Sequence, residues 1–187
     1  MKKILKYALM AVLAVAVVLP MASKVEAATV AVVPLIIDES VKDEEGMNSM
    51  LYSDAISKIV KFPEYDLVPD TDLVRQAALA QQEKLFTKEG MMAVAAATKA
   101  DIVIAMSLDK FDWVENRYSR HDPITTLDFQ GKIGVYNKLN GNFKFKKWMD
   151  NDSRESASIS VREDWPHDEF GRFCRVTIKS MMQAATK

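Results

Sequence analysis

Two side chains near the carboxyl terminus are of the types that nucleophilic catalysis uses. Cys174 is the one cysteine among 187 residues, and His167, one of two histidines, lies seven positions before it. A thiol becomes an effective nucleophile when a base stands within hydrogen-bond reach to take its proton. If one helix carries both residues, seven positions is close to two turns and the pair shares a face. Cys174 also falls on an apolar stripe with Phe170 and Ile178, where a buried and inert thiol is the ordinary state. The other histidine, His121, stands among Arg117, Arg120 and Asp122 in a segment with the character of a solvated loop. Neither histidine belongs to a metal-ligand spacing such as His-Glu-x-x-His.

Carboxylates gather twice. Asp38, Glu39, Asp43, Glu44 and Glu45 follow a β-branched run, at the strand end where open α/β sheets bind ligands. Asp150, Asp152 and Glu155 form the second group. A calcium loop of the helix-loop-helix kind needs Glu at its twelfth position. Counting from Asp150 puts Val161 there, so that template fails. Solvated acidic loops are the plain reading of both groups. The six glycines build neither a phosphate-cradling loop nor a Gly-x-Ser-x-Gly elbow. No cofactor and no metal ion is expected.

Lys144-Phe145-Lys146-Lys147-Trp148 interleaves cations with aromatics. On a strand Lys144 and Lys146 share a face, and they could meet an acidic protein or an anionic cell-wall polymer. Such lysines also serve to discourage edge-to-edge pairing. Lys144, Lys146 and Trp148 are therefore the partner-binding candidates.

The elements that must position these residues follow from periodicity. Thr29 to Ile37 reads as a buried strand that Pro34 weakens. A helix is expected from about Met47 to Lys61, with Leu51, Ala55 and Ile59 on one stripe and Pro63 as its stop. Tyr65 to Val68 is a short strand. Asp70 or Thr71 can cap the next helix, and Thr87 opens another. Ile102 to Met106 is an uninterrupted apolar run, the mark of a central strand covered on both faces. From Leu127 the pattern alternates, Leu127, Phe129, Ile133 and Val135 sharing one face. Asn140-Gly141 turns the chain back into a strand with Phe143 and Phe145. Glu115 to Asp122 and Asp150 to Ser158 read as polar loops, and Pro166 as the first residue of a last helix. This order predicts one α/β domain: a mixed sheet, parallel through its βαβ part and antiparallel in the hairpin, packed by about four helices.

The amino terminus sets the compartment. Lys2, Lys3 and Lys6 precede an uncharged apolar stretch from Tyr7 to Leu19, and Pro20 ends it. Val25-Glu26-Ala27 then offers small or modest side chains where a signal peptidase reads them. Residues 1–27 are expected to be a secretory signal peptide cleaved between Ala27 and Ala28, and 28–187 the single mature domain. The apolar stretch is shorter than the roughly 20 residues that a permanent spanning helix needs. The leader carries four lysines and one glutamate, so a formal charge of −1 becomes about −4 on export. A mildly acidic surface outside the cytoplasm does not suit nucleic acid. A lone cysteine allows no internal disulfide, although the exported environment would permit one. No cysteine stands at the first mature position, so the protein is expected to be soluble in the periplasm or the medium, not a lipoprotein.

Four segments carry a resemblance. Val30 to Leu35 is similar to the first strand of the small envelope α/β domains that include the curli secretion protein CsgG, the amino-terminal domain of TolB and the penicillin-binding-protein activator LpoB. Tyr65 to Asp70 leading into a helix, Ala97 to Ile104, and the hairpin from Gly131 to Lys147 continue the likeness in order. Several members are lipid-anchored through an amino-terminal cysteine, which this chain lacks. CsgG inserts long hairpins into a membrane, whereas the hairpin here carries Lys132, Lys138, Lys144, Lys146 and Lys147 and is too short and charged to span one. The resemblance implies a domain that binds other envelope proteins and brings no catalytic site with it.

The sequence thus points to an exported, non-enzymatic binding or assembly module acting through protein–protein contacts. Its rivals are a small-ligand carrier, which needs a sizeable apolar pocket, and an enzyme using Cys174 with His167 or the first acidic loop. The leader reading is checked by amino-terminal sequencing of the exported protein. Ala28 is expected as the first residue; an intact Met1 would contradict it.

Overall fold

The computed structural model describes residues 27–43, 46–61, 63–116, 124–155 and 165–187. The signal-peptide assignment, Glu44 and Glu45 of the first acidic loop, His121 with residues 117–122 of the expected polar loop, and residues 156–158 of the other expected loop lie outside them. The chain runs β1 (Ala28–Val32), β2 (Ile36–Ile37), α1 (Met47–Ile59), β3 (Tyr65–Leu67), α2 (Thr71–Leu79), α3 (Lys88–Thr98), β4 (Ile102–Asn116), β5 (Ile124–Asn137), β6 (Asn142–Glu155) and α4 (Trp165–Thr186). A short 3-10 turn, Gln82–Lys84, joins α2 to α3.

One six-stranded sheet results, in the order β3-β1-β4-β5-β6, with β2 also laid along β4. β1 is parallel to both β3 and β4. β4, β5 and β6 form an antiparallel meander. The mixed sheet expected from the sequence is the one observed, with four helices among the described residues.

β4 sits at the centre because both of its faces are apolar. Ile102, Ile104, Met106 and Leu108 point into a core shared with α1 and α4. Val103 and Ala105 point into a second core under α2 and α3. The result is three layers, helix pair on sheet on helix pair. Small side chains at Ala31, Ala95 and Ala105 keep α3 close to the strands. The register of β4 shifts between Leu108 and Lys110, and this irregularity returns Phe111 to the α4 side although the even-numbered residues led there before it.

Local chemistry fixes the ends. The carboxylate of Asp70 accepts from the Leu73 N–H at 2.8 Å and caps α2. The Thr87 hydroxyl accepts from Gly90 N–H at 3.2 Å and caps α3. Lys99, in the left-handed region at φ 56°, ends α3. Asp101 then ties the strands together: its carboxylate accepts from the Thr29 N–H at 3.0 Å and the Thr29 hydroxyl at 2.8 Å. Its carbonyl accepts from the Lys138 N–H at 2.7 Å, so β1, β4 and the end of β5 meet at one residue.

Three expectations need correction. Thr29 to Ile37 is not one strand but two, because the chain from Val32 to Ile36 advances four positions while β4 advances three, from Ile104 to Ser107. The surplus residue falls around Pro34, which has no N–H for a ladder. Asp150 to Glu155 is strand, not loop, since β6 keeps its register with β5 as far as Ile124↔Glu155. Ladder pairing there overrides a polar composition. α4 begins at Trp165 and places Pro166 second, still within the first turn where no N–H is needed. Among the described residues no helix is long and apolar enough to cross a membrane.

Two glycines yield predictions of opposite sign. A Cβ on Gly131 would sit 1.9 Å from the Ser107 carbonyl oxygen and 2.4 Å from Cζ2 of Trp148. Backbone cannot yield cheaply, so Gly131→Ala should cost about 2–3 kcal/mol and lower the melting temperature by about 5–10 °C. A Cβ on Gly171, inside α4, would meet Leu51 Cδ2 at an ordinary 3.5 Å. Gly171→Ala should stabilise by about 0.5–1 kcal/mol through helix entropy. Thermal melts of both variants check the signs.

Candidate functional site

The cysteine and histidine are not brought together. Cys174 is fully buried on α4, facing Tyr52 of α1 within the larger core. His167 is half-buried in the first turn of α4, with its ring against Phe111 at a centroid distance of 5.6 Å. Seven residues along a helix is about 10 Å, far beyond a hydrogen bond. Burial pushes the Cys174 thiol well above its ordinary range, the reverse of what an attacking thiolate needs. Burial likewise pushes up the Tyr52 phenol, with the neighbouring thiol adding to the effect.

The first acidic loop is occupied with its own conformation. The carboxylate of Asp38 accepts from the backbone N–H of Ser40 at 2.9 Å and its hydroxyl at 2.7 Å. These bonds, the hydroxyl's first, hold its pKa below the usual value. Asp43 accepts from the Asn48 N–H at 3.3 Å, in the first turn of α1. Among the described residues no group of three or more ligating side chains could hold a metal ion. Asp150, Asp152 and Glu155 lie on β6, opposite Phe129, Leu127 and Ile124 of β5.

The candidate surface on β6 divides in two. Lys144, Lys146 and Lys147 are exposed, opposite Val135, Ile133 and Lys132 on β5. Among the described residues β6 is the last strand of the sheet, so these lysines stand on an edge that no described strand pairs. Trp148 is different: at 4% exposure it is a core residue, not a contact residue. Its ring lies 4.9 Å from Phe173 and 5.7 Å from Phe129, centroid to centroid. The glycine at 131 opens the space that its indole fills. Alternation places Trp148 on the same side of β6 as the two lysines, which is why their shared pattern misleads. Phe145, on the other side, is 42% exposed and rests against Phe86 at 6.4 Å.

Two features escaped sequence reasoning. On the middle of the meander Lys110 is clasped by Asp128 at 2.5 Å and reaches Asp112 at 3.6 Å. Hydrogen bonding to Asp128 raises the Lys110 pKa. Asp112 and Asp128 are directly opposed in the ladder, so the lysine offsets a like-charge pair. The second feature is an apolar groove of about 180 Å³ where β1 ends beside α2. Val33, Leu85 and Ala78 lie deep in it, Ile36 and Leu79 are exposed along it, and Arg75 lines it too. Its only sequence signal was Pro34, whose disruption of the strand opens the gap. At this size it falls below the roughly 300 Å³ typical of small-molecule pockets.

No family model and no curated protein matches the chain. Solved structures do. The hypothetical protein CT253 from Chlamydia trachomatis matches with a TM-score of 0.52 at 13% identity, over 84% of this chain and 99% of that one. The lipoprotein GNA1162 from Neisseria meningitidis follows at 0.42 and 16% identity, over 83% and 99%. The carboxyl-terminal domain of LpoB from Salmonella enterica follows at 0.35 and 12%, over 69% and 83%. At such identities the likeness to CT253 is one of fold.

The buried thiol and phenol generate a pH prediction. Their ordinary pKa values are 9.0 and 10.0, and both are raised in the fold. Above about pH 9 the unfolded chain releases protons that the native one keeps, so native stability falls as pH rises. The expected slope is about 1.4 kcal/mol per pH unit from the thiol alone, steepening as the phenol joins. Denaturant titrations between pH 8 and 10.5 measure it, and Cys174→Ala should remove the thiol's share. Iodoacetamide should label Cys174 only after unfolding.

Proposed function

We propose that this protein is an exported, non-enzymatic binding module of the cell envelope, and that its partner contacts the open edge of β6. One observation carries the reading: a strand at the margin of the sheet keeps Lys144, Lys146 and Lys147 exposed. Phe145, which shares the opposite face of the strand with Lys147, is 42% exposed. Cations on both faces of an edge strand, with an accessible aromatic on one of them, suit an acidic protein surface, with charge guiding the encounter and the ring adding buried area. The leader, read from sequence, supports a partner in the periplasm or beyond it. Cys174, the residue an enzymatic reading would use, is sealed beneath α1.

The surface is electrostatic in part, and that gives it a handle. Exposed charge pairs weaken as ionic strength rises, since the Debye length shrinks to about 8 Å at physiological salt. Lys144→Glu combined with Lys146→Glu should leave the melting temperature nearly unchanged, because both side chains are solvated. Affinity capture of the exported protein at low salt should then lose its specific partner, with recovery at least about tenfold lower. Replacing both lysines by Gln should give an intermediate loss. An unchanged partner set for the double Glu variant would exclude this edge.

A further inference from the structure

The groove beside Arg75 has the dimensions and chemistry of a second recognition site. Its depth is apolar: Val33, Ala78 and Leu85 are 2%, 6% and 2% exposed. Ile36 and Leu79, at 40% and 58%, extend apolar surface from the groove along its opening. Arg75 is the one charged side chain of the lining. Among the described residues it forms no ion pair and no hydrogen bond. The site lies at the carboxyl end of β1, a parallel strand, where open α/β sheets receive ligands. Among the described residues β2 pairs with β4 alone, so its outer side is an edge that no described strand pairs, next to the opening.

We infer that this groove docks the carboxyl terminus of a partner polypeptide whose last residue is large and apolar. Volume argues for a single side chain. About 180 Å³ is slightly more than the roughly 150 Å³ cavity that accommodates benzene, so one Phe or Leu ring or branch fills it and a lipid acyl chain overflows it. Charge argues for a carboxylate, which the planar guanidinium of Arg75 can hold with two hydrogen bonds. A single residue is the most compact source of both groups. In an extended peptide adjacent side chains point to opposite sides and only those two apart share one, so an internal acid reaches the ring's side only from two positions away. A terminal residue carries its carboxylate on the same Cα as its side chain. The open edge of β2 offers main-chain groups to the residues before it, as in strand-addition recognition.

This deepens the reading of the domain as a protein-binding module and rests on it. The groove lies under α2, remote in the sheet from β6, so the two tests fail separately. The test is an NMR titration of the isotopically labelled exported protein with N-acetyl-Gly-Ser-Phe and N-acetyl-Gly-Ser-Leu as free acids, their carboxyl-terminal amides, and decanoate. The free acids should shift resonances of Ile36, Arg75, Leu79 and Leu85, binding at least about tenfold tighter than the amides. Arg75→Gln should abolish that difference, and Leu79→Lys should weaken every peptide. Both positions are exposed, and an unchanged melting temperature verifies that each variant folds. Equal binding of acid and amide, shifts confined to other surfaces, or no binding by either acid would overturn the proposal. Tighter binding of decanoate that survives Arg75→Gln would also overturn it, by assigning the groove to a lipid tail.

Discussion

Everything in this fold is arranged around a strand that cannot show either face to water. From Ile102 to Leu108, β4 is at most 3% exposed at every residue. Helices must therefore cover it above and below, and strands must flank it on both sides. Parallel neighbours arrive by way of α1 on one face and of α2 with α3 on the other, and α4, arriving after β6, completes the pair on the α1 face. β4, β5 and β6 pair antiparallel, β6 following β5 through a turn at 138–141, so no described helix crosses over between them and the meander ends, among the described residues, at the edge of β6. The burial of seven residues thus determines both the layers and the position of the surfaces left over.

That arrangement decides what happens to the reactive groups. α4 closes the larger core, and its inward stripe carries Phe170, Cys174 and Ile178 together. A thiol placed there contributes packing and is kept from ionising. Aromatic rings seal the same region: Phe129 lies within 6 Å of the ring centroids of Phe170, Phe173 and Trp148. Carboxylates that a reader would consider for a metal site instead hold turns and helix starts, as Asp38, Asp43 and Asp70 do. What remains available for work is exterior: a lysine-rich strand edge, and a shallow apolar groove with one arginine.

Apolar runs were the legible part of the sequence. Ile102 to Met106 marked the centre, Leu127 to Val135 marked a one-sided strand, and Asp70 and Thr87 announced helix starts by their side-chain chemistry. Polar strands were not legible. Asp150 to Glu155 has a loop's composition, and only its ladder with β5 makes it a strand. Nor could spacing separate Trp148 from Lys144 and Lys146, since alternation assigns them one face and says nothing of where α4 stops covering it. Arg75 and the groove were invisible because they depend on a one-residue mismatch around Pro34 that exists only once β4 is in place.

The claim that this domain acts through its exterior is tested most directly inside the cell. A photoreactive benzophenone side chain placed at Lys146, with a second variant carrying it at the exposed Ser57 of α1, reports contacts in intact envelopes by mass spectrometry. The account predicts a discrete protein adduct from position 146 and none from position 57. Equal, diffuse labelling from both positions, or none at all from 146, would contradict it.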